Sequence, residues 1–234
     1  MIAIIAAMDK EVKTLLEHMN VEEIETIADK IFYIGKLGQK DVIVAKSGIG
    51  KVNAAITTSA LCLKYDIDFI INTGVAGGLF PVNSGDIVIS KGIVYSDVDV
   101  SEIDKDLPYG QIPGDPYIVY SDNDLTIKAV KILSDLKLSY RLGMIASGDQ
   151  FVTDSIKLKP LQDVIDQLYA VEMESMAVAI TAYKFRVPFI VIRGISDVID
   201  DTLQVQMYEN FVDEIADTTA GFVIKFVEDY QWIE

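Results

Sequence analysis

The chain has 234 residues, half of them hydrophobic, which is enough to bury a full core. Its 20 Lys and Arg residues stand against 36 Asp and Glu residues, for a net charge of −16 at pH 7. Such an acidic chain is a poor match for a nucleic-acid backbone or an anionic membrane surface, so the composition favours a small-molecule ligand. We expect a single domain over residues 1–234.

Cysteine usage and the N-terminal sequence indicate in which cellular compartment we expect the protein. Cys62 is the only cysteine, so no intrachain disulfide can form, which favours a reducing environment. Residues 1–8 are apolar, but they follow no basic region and are too short to span a bilayer. They are typical of a first core strand, and we expect a cytoplasmic protein.

The first part of the chain alternates between strand and helix patterns. Residues 2–7 form an apolar run typical of a buried strand, and residues 11–19 carry apolar side chains at helical spacing. Glu11 therefore lies at a strand-to-helix junction. Residues 31–37 and 41–46 predict a hairpin, and a helix is predicted from about 52 to 65.

The middle of the chain contains strands and two glycine-containing loops. Strands are predicted over residues 68–73 and 86–90, and a longer, bent form of the second would continue to Tyr95. The three glycines of residues 74–78 disrupt both periodicities and predict a loop. Residues 96–117 are acidic and rich in Gly and Pro, and loops of this length are commonly functional. We interpret this segment as a binding or interface loop.

The C-terminal half again alternates. Helices are predicted over residues 125–136, near 158–168, over 174–185 and from about 208 to 230; strands are predicted over 141–146, 169–172 and 188–194. Strands that alternate with helices predict a three-layer α/β fold with a mixed central sheet.

Charged residues follow the last two predicted strands. Glu172 and Glu174 end one strand, and Arg193 and Asp197 end the next. In open α/β sheets the ligand crevice lies outside the carboxyl ends of the strands, so these groups are candidates for one shared site. The alternative is that Glu172 and Arg193 form a structural ion pair and Asp197 caps a helix.

The segment of residues 48–53 begins like a dinucleotide-binding motif but does not complete one. The third glycine is replaced by Asn53, and Lys51 is followed by Val52 where a Walker loop needs a hydroxyl. What remains is a glycine-containing turn before a helix, whose N–H groups could hold an anion or a polar ligand.

His18 is the only histidine, so a Ser-His-Asp triad or a histidine metal site has little to be built from. Acid and base chemistry then falls to carboxylates. Those at predicted strand ends are Glu11, Glu172, Glu174 and Asp197, with Asp149 a weaker candidate.

Six segments taken together resemble the 5′-methylthioadenosine/S-adenosylhomocysteine nucleosidase family: residues 7–12, 46–52, 72–78, 147–151, 171–174 and 193–197. Their order and spacing hold over nearly the whole chain. The resemblance implies hydrolysis of the bond between adenine and a 5′-thio-substituted ribose, by a homodimer of nucleoside-phosphorylase-like fold without metal or organic cofactor.

The resemblance also implies catalytic roles. Asp197 would be the general acid at adenine N7, oriented by Ser196, and Glu11 the base that activates water. Glu174 would hold the ribose hydroxyls, and Arg193 would orient the water. These roles suit the chemistry, because protonation at N7 turns adenine into a neutral leaving group and carboxylates stabilise an oxocarbenium-like sugar.

Further positions are implied to bind the substrate. Phe151 would stack on the base, the backbone of Val152 would read its edge, and the backbone of Met173 would lie beside the ribose. The other positions of the implied pocket are Met8, Ile49, Gly77 and Tyr208. Val100 and Pro113 lie in the long loop, which resembles a segment that reaches into the partner subunit's site.

The chain departs from the family pattern at Val75, where Ser is usual, so one polar contact near the ribose is missing. Two other functions remain open at this point. A phosphorolytic relative of the same fold would need a phosphate site, and a non-catalytic nucleoside-binding protein would have no need of an acid. The preferred 5′ group does not follow from the sequence.

Overall fold

A computed structural model describes residues 1–231, and all ten strands in this range belong to one mixed sheet. The strands are β1 (Ile2–Ala6), β2 (Asn20–Ile27), β3 (Lys30–Leu37), β4 (Lys40–Lys46), β5 (Phe69–Gly78), β6 (Ile87–Tyr95), β7 (Val119–Tyr120), β8 (Tyr140–Ser147), β9 (Leu168–Glu172) and β10 (Phe189–Val198). The helices are α1 (Asp9–His18), α2 (Lys51–Lys64), α3 (Asn123–Leu136), α4 (Lys159–Gln162), α5 (Ser175–Phe185) and α6 (Gln204–Asp229).

The sheet runs in the order β10-β6-β8-β9-β5-β1-β4-β3-β2, with β7 beside β6. Because β10 also pairs with β5, the strands β5, β10, β6, β8 and β9 close a ring. Strands β1, β5 and β10 are parallel, so their carboxyl ends share one edge. Strand β9 runs antiparallel to β5, with Val171 opposite Gly77, and reaches the same region from the other direction.

Helices cover the sheet on both sides, so the predicted three-layer α/β fold is confirmed. Helices α2 and α5 pack with one core cluster, and α1, α3 and α6 pack with the other. Strand β1 shows how the layers are divided: Ala3 and Ile5 belong to the first cluster, and Ile2 and Ile4 belong to the second. Both faces of β1 are buried, which explains why its sequence is continuously apolar and does not alternate with polar residues.

The loop predicted for residues 74–78 is wrong, because β5 continues through Gly78. These residues pair with β10 from Arg193 to Val198. The glycines serve close approach rather than a turn: a Cβ at Gly74 would lie 2.5 Å from Glu11 Oε1 and 2.9 Å from Arg193 Nη1.

Three other elements differ from the sequence prediction, one by its presence, one by its length and one by its start. Strand β2 was not predicted; it lies at the sheet edge and has no buried residue to give it a pattern. The helix predicted near residues 158–168 is only a 3₁₀ turn (Ser155–Leu158) followed by the short α4. Helix α6 begins at Gln204, one turn before the predicted start at Tyr208.

No helix in residues 1–231 is both long enough and apolar enough to cross a membrane. The expectation of a single domain over residues 1–234 includes residues 232–234, which lie outside the described part of the chain.

Candidate active site

One cavity gathers most of the predicted site residues. It has roughly 560 Å³ of atom-free space, including the solvent at its open mouth. Predicted residues that line it are Met8, Glu11, Ile49, Gly77, Phe151, Val152, Met173, Glu174, Ser196, Asp197 and Tyr208. These positions come from the ends of β5 and β10, from the segments that follow β1 and β9, from the first turn of α1, from loops, and from the first two turns of α6.

Glu11 is held at the N-terminus of α1, where helical N–H groups lack partners. Its Oε2 accepts from the backbone N–H groups of Ala7 and Met8, each at 2.9 Å, and its Oε1 accepts from Val75 N at 3.0 Å. Burial raises the pKa of Glu11, against the opposing effects of the Arg193 charge and these hydrogen bonds. A carboxylate in this environment is a better proton acceptor than one in water.

Glu172 lies at the cavity wall and forms a buried ion pair with Arg193, which lies behind it. Arg193 Nη2 also donates to Asn72 Oδ1 at 2.7 Å, and Glu172 accepts from the N–H and hydroxyl of Ser175 at the start of α5. Burial alone would raise the pKa of Glu172, but Arg193 and Ser175 together bring it below its usual value. Glu172 is therefore the ionised partner of the arginine.

Glu174 lies two residues further on and behaves differently. Its Oε1 accepts from Gly50 N at 2.8 Å, and its Oε2 is 3.9 Å from Arg193 Nη2, too far for a hydrogen bond. Burial, followed by the negative charge of Glu172, raises the pKa of Glu174 to about 8. One arginine thus faces several carboxyls, and it fully neutralises only Glu172.

Asp197 is almost completely buried and lies within β10, so the alternative that it caps a helix is wrong. Its Oδ1 accepts from Ser196 Oγ at 2.6 Å, and its Oδ2 accepts from Gln204 Nε2 at 2.7 Å. A Cβ at Gly77 would lie 3.2 Å from Oδ2, so glycine keeps that approach open. Both carboxyl oxygens are thereby fixed in direction at the cavity wall.

Aromatic and sulfur-containing side chains form the other wall. The rings of Phe151 and Tyr208 pack edge to face with centroids 5.5 Å apart, and the Tyr208 hydroxyl is 3.8 Å from Met8 Sδ. Phe151 keeps nearly half of its surface exposed, so a planar ligand could cover it.

Two N–H groups of the glycine-containing turn before α2 are occupied by the chain's own carboxylates. Gly50 N donates to Glu174, and Lys51 N donates to Asp149 Oδ1 at 2.8 Å. Gly50 has a φ of 94°, which favours glycine at this position. The anion site that the sequence left open is therefore filled by the chain's own carboxylates.

Three predicted residues do not line the cavity. Arg193 lies behind its wall, in contact with Glu172, so it is not placed to touch a ligand. Val100 is half-buried and Pro113 exposed in the long loop, away from this chain's own cavity. His18 contacts the carbonyl of Thr14 on α1, and residues 1–231 contain no group of three or more His, Cys, Asp or Glu side chains suited to a metal.

The sequence analysis did not identify Gln204, which contacts Asp197 and the Val152 carbonyl. The predicted start of the last helix at Tyr208 left Gln204 outside any element. Gln204 lies four residues before Tyr208, so a helix predicted to begin one turn earlier would have placed both side chains on the same face.

The sequence model of the phosphorylase superfamily matches residues 1–228. A 5′-methylthioadenosine/S-adenosylhomocysteine nucleosidase of Bacillus thuringiensis subsp. konkukian is 40% identical over 97% of this chain and 98% of its own length. The nucleosidase of Neisseria meningitidis, solved with methylthio-immucillin-A, is 34% identical, with a TM-score of 0.91 over 98% of this chain and 99% of the other.

A second similar structure is the futalosine hydrolase of Helicobacter pylori, which is 31% identical, with a TM-score of 0.90 over 98% of this chain and 97% of the other. The superfamily match and the full-length nucleosidase relatives agree with the six segments found in the sequence. The chain belongs to the 5′-methylthioadenosine/S-adenosylhomocysteine nucleosidase family of the phosphorylase superfamily.

Proposed function

We propose that the chain hydrolyses the N-glycosidic bond of 5′-methylthioadenosine and S-adenosylhomocysteine, releasing adenine and the 5′-thio-substituted ribose. The observation that carries this proposal is one cavity lined by four carboxyls: Glu172 is held in an ion pair with Arg193, and Glu11, Glu174 and Asp197 remain for chemistry. Binding a nucleoside needs no acid, whereas cleaving its glycosidic bond needs a proton donor and an activated nucleophile. The names of the relatives at 40% and 34% identity support the same reaction.

Asp197 is the proposed general acid. It lies at the end of β10 with Phe151 and Val152 on the same cavity, so an adenine stacked on Phe151 would present its N7 edge toward the carboxyl. Proton transfer to N7 makes adenine a neutral leaving group. The hydrogen bonds from Ser196 to Oδ1 and from Gln204 to Oδ2 fix the direction of the carboxyl at the cavity.

Glu11 is the proposed base for the attacking water, and Glu174, beside Met173, is proposed to hold the ribose hydroxyls. Glu11 lies in a buried, low-dielectric setting, where its carboxylate stabilises positive charge at the sugar more strongly than in water. Glu174 keeps its proton at neutral pH because its pKa is raised to about 8, so it meets the hydroxyls through hydrogen bonds. Arg193 is proposed to act through Glu172 and through its charge rather than by touching the water, because it lies behind the wall.

Water rather than phosphate is the proposed nucleophile. A phosphate dianion needs free cationic or N–H donors beside the sugar. Here Gly50 N and Lys51 N are taken by Glu174 and Asp149, and Arg193 is paired with Glu172. Val75 contributes no hydroxyl to the same wall. A second anion beside Glu11 would be repelled.

The experiment measures release of the free base from 5′-methylthioadenosine, S-adenosylhomocysteine and futalosine, in phosphate and in phosphate-free buffer, with base and sugar identified by mass. We expect the free sugar from the first two substrates, at a rate indifferent to phosphate. A sugar 1-phosphate as the main product would instead assign the phosphorolytic alternative. Turnover of futalosine alone would assign the activity named for the Helicobacter pylori relative.

We also propose that the chain works as a homodimer. Val52, Ile56 and Leu63 are exposed apolar residues on one face of α2, and the nearby Ile49 is exposed at the cavity. An apolar stripe of this kind is typical of an interface. The long loop with Val100 and Pro113 would then serve the partner's cavity. Sedimentation equilibrium tests this: a Val52→Asp variant should shift the chain toward monomer, and a monomeric wild type would refute it.

The proposed compartment is the cytoplasm. A single cysteine, Cys62, cannot form an intrachain disulfide and is therefore compatible with a reducing environment. Recovery of activity in the cytoplasmic fraction of cells would support this location, and recovery outside the cell would refute it.

A further inference from the structure

Gln204 links two groups of the cavity wall that are far apart in sequence. It is the first residue of α6 and is almost fully buried. Its side-chain Nε2 donates to the Val152 carbonyl at 2.9 Å and to Asp197 Oδ2 at 2.7 Å. Val152 and Asp197 line the cavity, but Gln204 does not; it lines a separate depression on the outer side, with Thr153 and Asp201. The amide therefore holds both groups from behind.

The chemistry of the contact fixes the orientation of the amide. A backbone carbonyl and a carboxylate are both acceptors, so the atom between them must be the NH₂ nitrogen. The reverse orientation would place three oxygens together. Gln204 Oε1 is buried and has no hydrogen-bond donor among residues 1–231, so the side chain is held through its nitrogen alone.

One nitrogen atom therefore sets the separation of two acceptors. A carbonyl oxygen and a carboxyl oxygen each have a second lone pair, which a ligand can use from the cavity side. Two acceptors at a separation that one NH₂ group can bridge match another NH₂ group of similar geometry. The 6-amino group of adenine is such a donor, whereas a 6-oxo group is not.

We infer that Gln204 is a positioning residue for base recognition: it holds the Val152 carbonyl and Asp197 Oδ2 at the spacing that accepts the 6-amino group of adenine. This inference rests on the proposed function, because it takes adenine as the base. Gln204 acts through its two neighbours and does not touch the base. Tyr208 lies one turn further along α6 and lines the cavity. The first two turns of α6 therefore support both the wall with Asp197 and the aromatic wall.

The experiment compares the binding of free adenine and free purine, which differ only in the 6-amino group, by titration calorimetry. The variants are Gln204→Leu, which removes the amide, and Gln204→Asn, which keeps it on a shorter side chain. Gln206→Leu is the matched control, because Gln206 is exposed two residues later on the same helix. Far-UV circular dichroism reports the fold of each chain.

We expect Gln204→Leu to lower the preference for adenine over purine by about fivefold or more, the effect of about one hydrogen bond. Gln204→Asn should keep part of the preference, and Gln206→Leu should keep all of it. An unchanged ratio in Gln204→Leu, including an equal loss for both bases, would overturn the inference. If Gln204→Leu does not fold, an unchanged ratio in folded Gln204→Asn overturns it. Failure of the wild type to release adenine would overturn the proposed reaction. The ratio of adenine binding to purine binding is measured without turnover, so it tests the role of Gln204 separately.

Discussion

Glu174 should make the stability of the fold depend on pH. Burial and the neighbouring charge of Glu172 raise the pKa of Glu174 from 4.5 to about 8. Between these two values the unfolded chain has released this proton and the folded chain still holds it, so the free energy of unfolding falls as pH rises. At about 1.4 kcal/mol per pKa unit, the difference corresponds to roughly 5 kcal/mol over that range.

The substitution Glu174→Gln removes this titration and keeps the shape of the side chain, with an oxygen for the Gly50 N–H. We therefore expect the variant to gain stability relative to wild type by about 1 kcal/mol per pH unit between pH 5 and 8. Urea unfolding followed by circular dichroism at several pH values gives the free energy of unfolding of each chain. The titrations of all other groups largely cancel in the difference between the two values. Parallel stability curves would refute the reasoning.

Glu172→Gln is the matched comparison, two residues away and equally buried. Arg193 and Ser175 lower the pKa of Glu172 despite its burial, so this side chain is ionised at pH 7. Its replacement leaves the arginine charge uncompensated, which costs about 3–5 kcal/mol. The loss should shrink as pH falls below the unfolded value, because the wild-type pair is then itself lost. Equal effects of the two substitutions at pH 7 would contradict the assignment of charge to Glu172.

Three further predictions concern activity. Asp197→Asn should lower kcat by at least ~10²-fold, the scale for losing a general acid, while nucleoside affinity falls much less; near-wild-type turnover would exclude Asp197 as the acid. The 6-oxo analogue of the substrate should be cleaved far less efficiently, because it presents a lone pair to the Val152 carbonyl; comparable kcat/KM values would contradict this contact. Gly74→Ala should lower kcat, because its Cβ would lie 2.5 Å from Glu11 Oε1, whereas Gly221→Ala, inside α6 with open space around the Cβ, should not have this effect on kcat. Equal kcat values for the two glycine variants would show that Glu11 tolerates displacement.

Eleven of the predicted site residues line one cavity, although several of the elements that carry them differ from prediction. The segment after β1 and the ends of β5 and β10 meet because parallel strands share a carboxyl edge, so Glu11 and Asp197 could be grouped in advance. The end of β9 meets them for a different reason, since it pairs antiparallel with the last two residues of β5. Periodicity carries no information about such a pairing.

Each feature that the sequence analysis missed has its own physical cause. The glycines of residues 74–78 are small because Glu11 and Arg193 approach the backbone there, and a propensity argument interprets the same glycines as a loop. Strand β2 is exposed along one edge, so it has no apolar pattern. Gln204 is polar and buried, and its two partners are acceptors distant in sequence, which only the folded chain identifies.

The wide separation of the cavity residues also bears on how the protein is made. Met8 and Tyr208 both line the cavity, so it cannot exist until nearly the whole chain has left the ribosome and the sheet has closed. Contacts of such long sequence separation slow folding. The onset of ligand binding during refolding would therefore follow secondary-structure formation. A tight-binding ligand would then raise the Tm of the chain by binding only the completed fold.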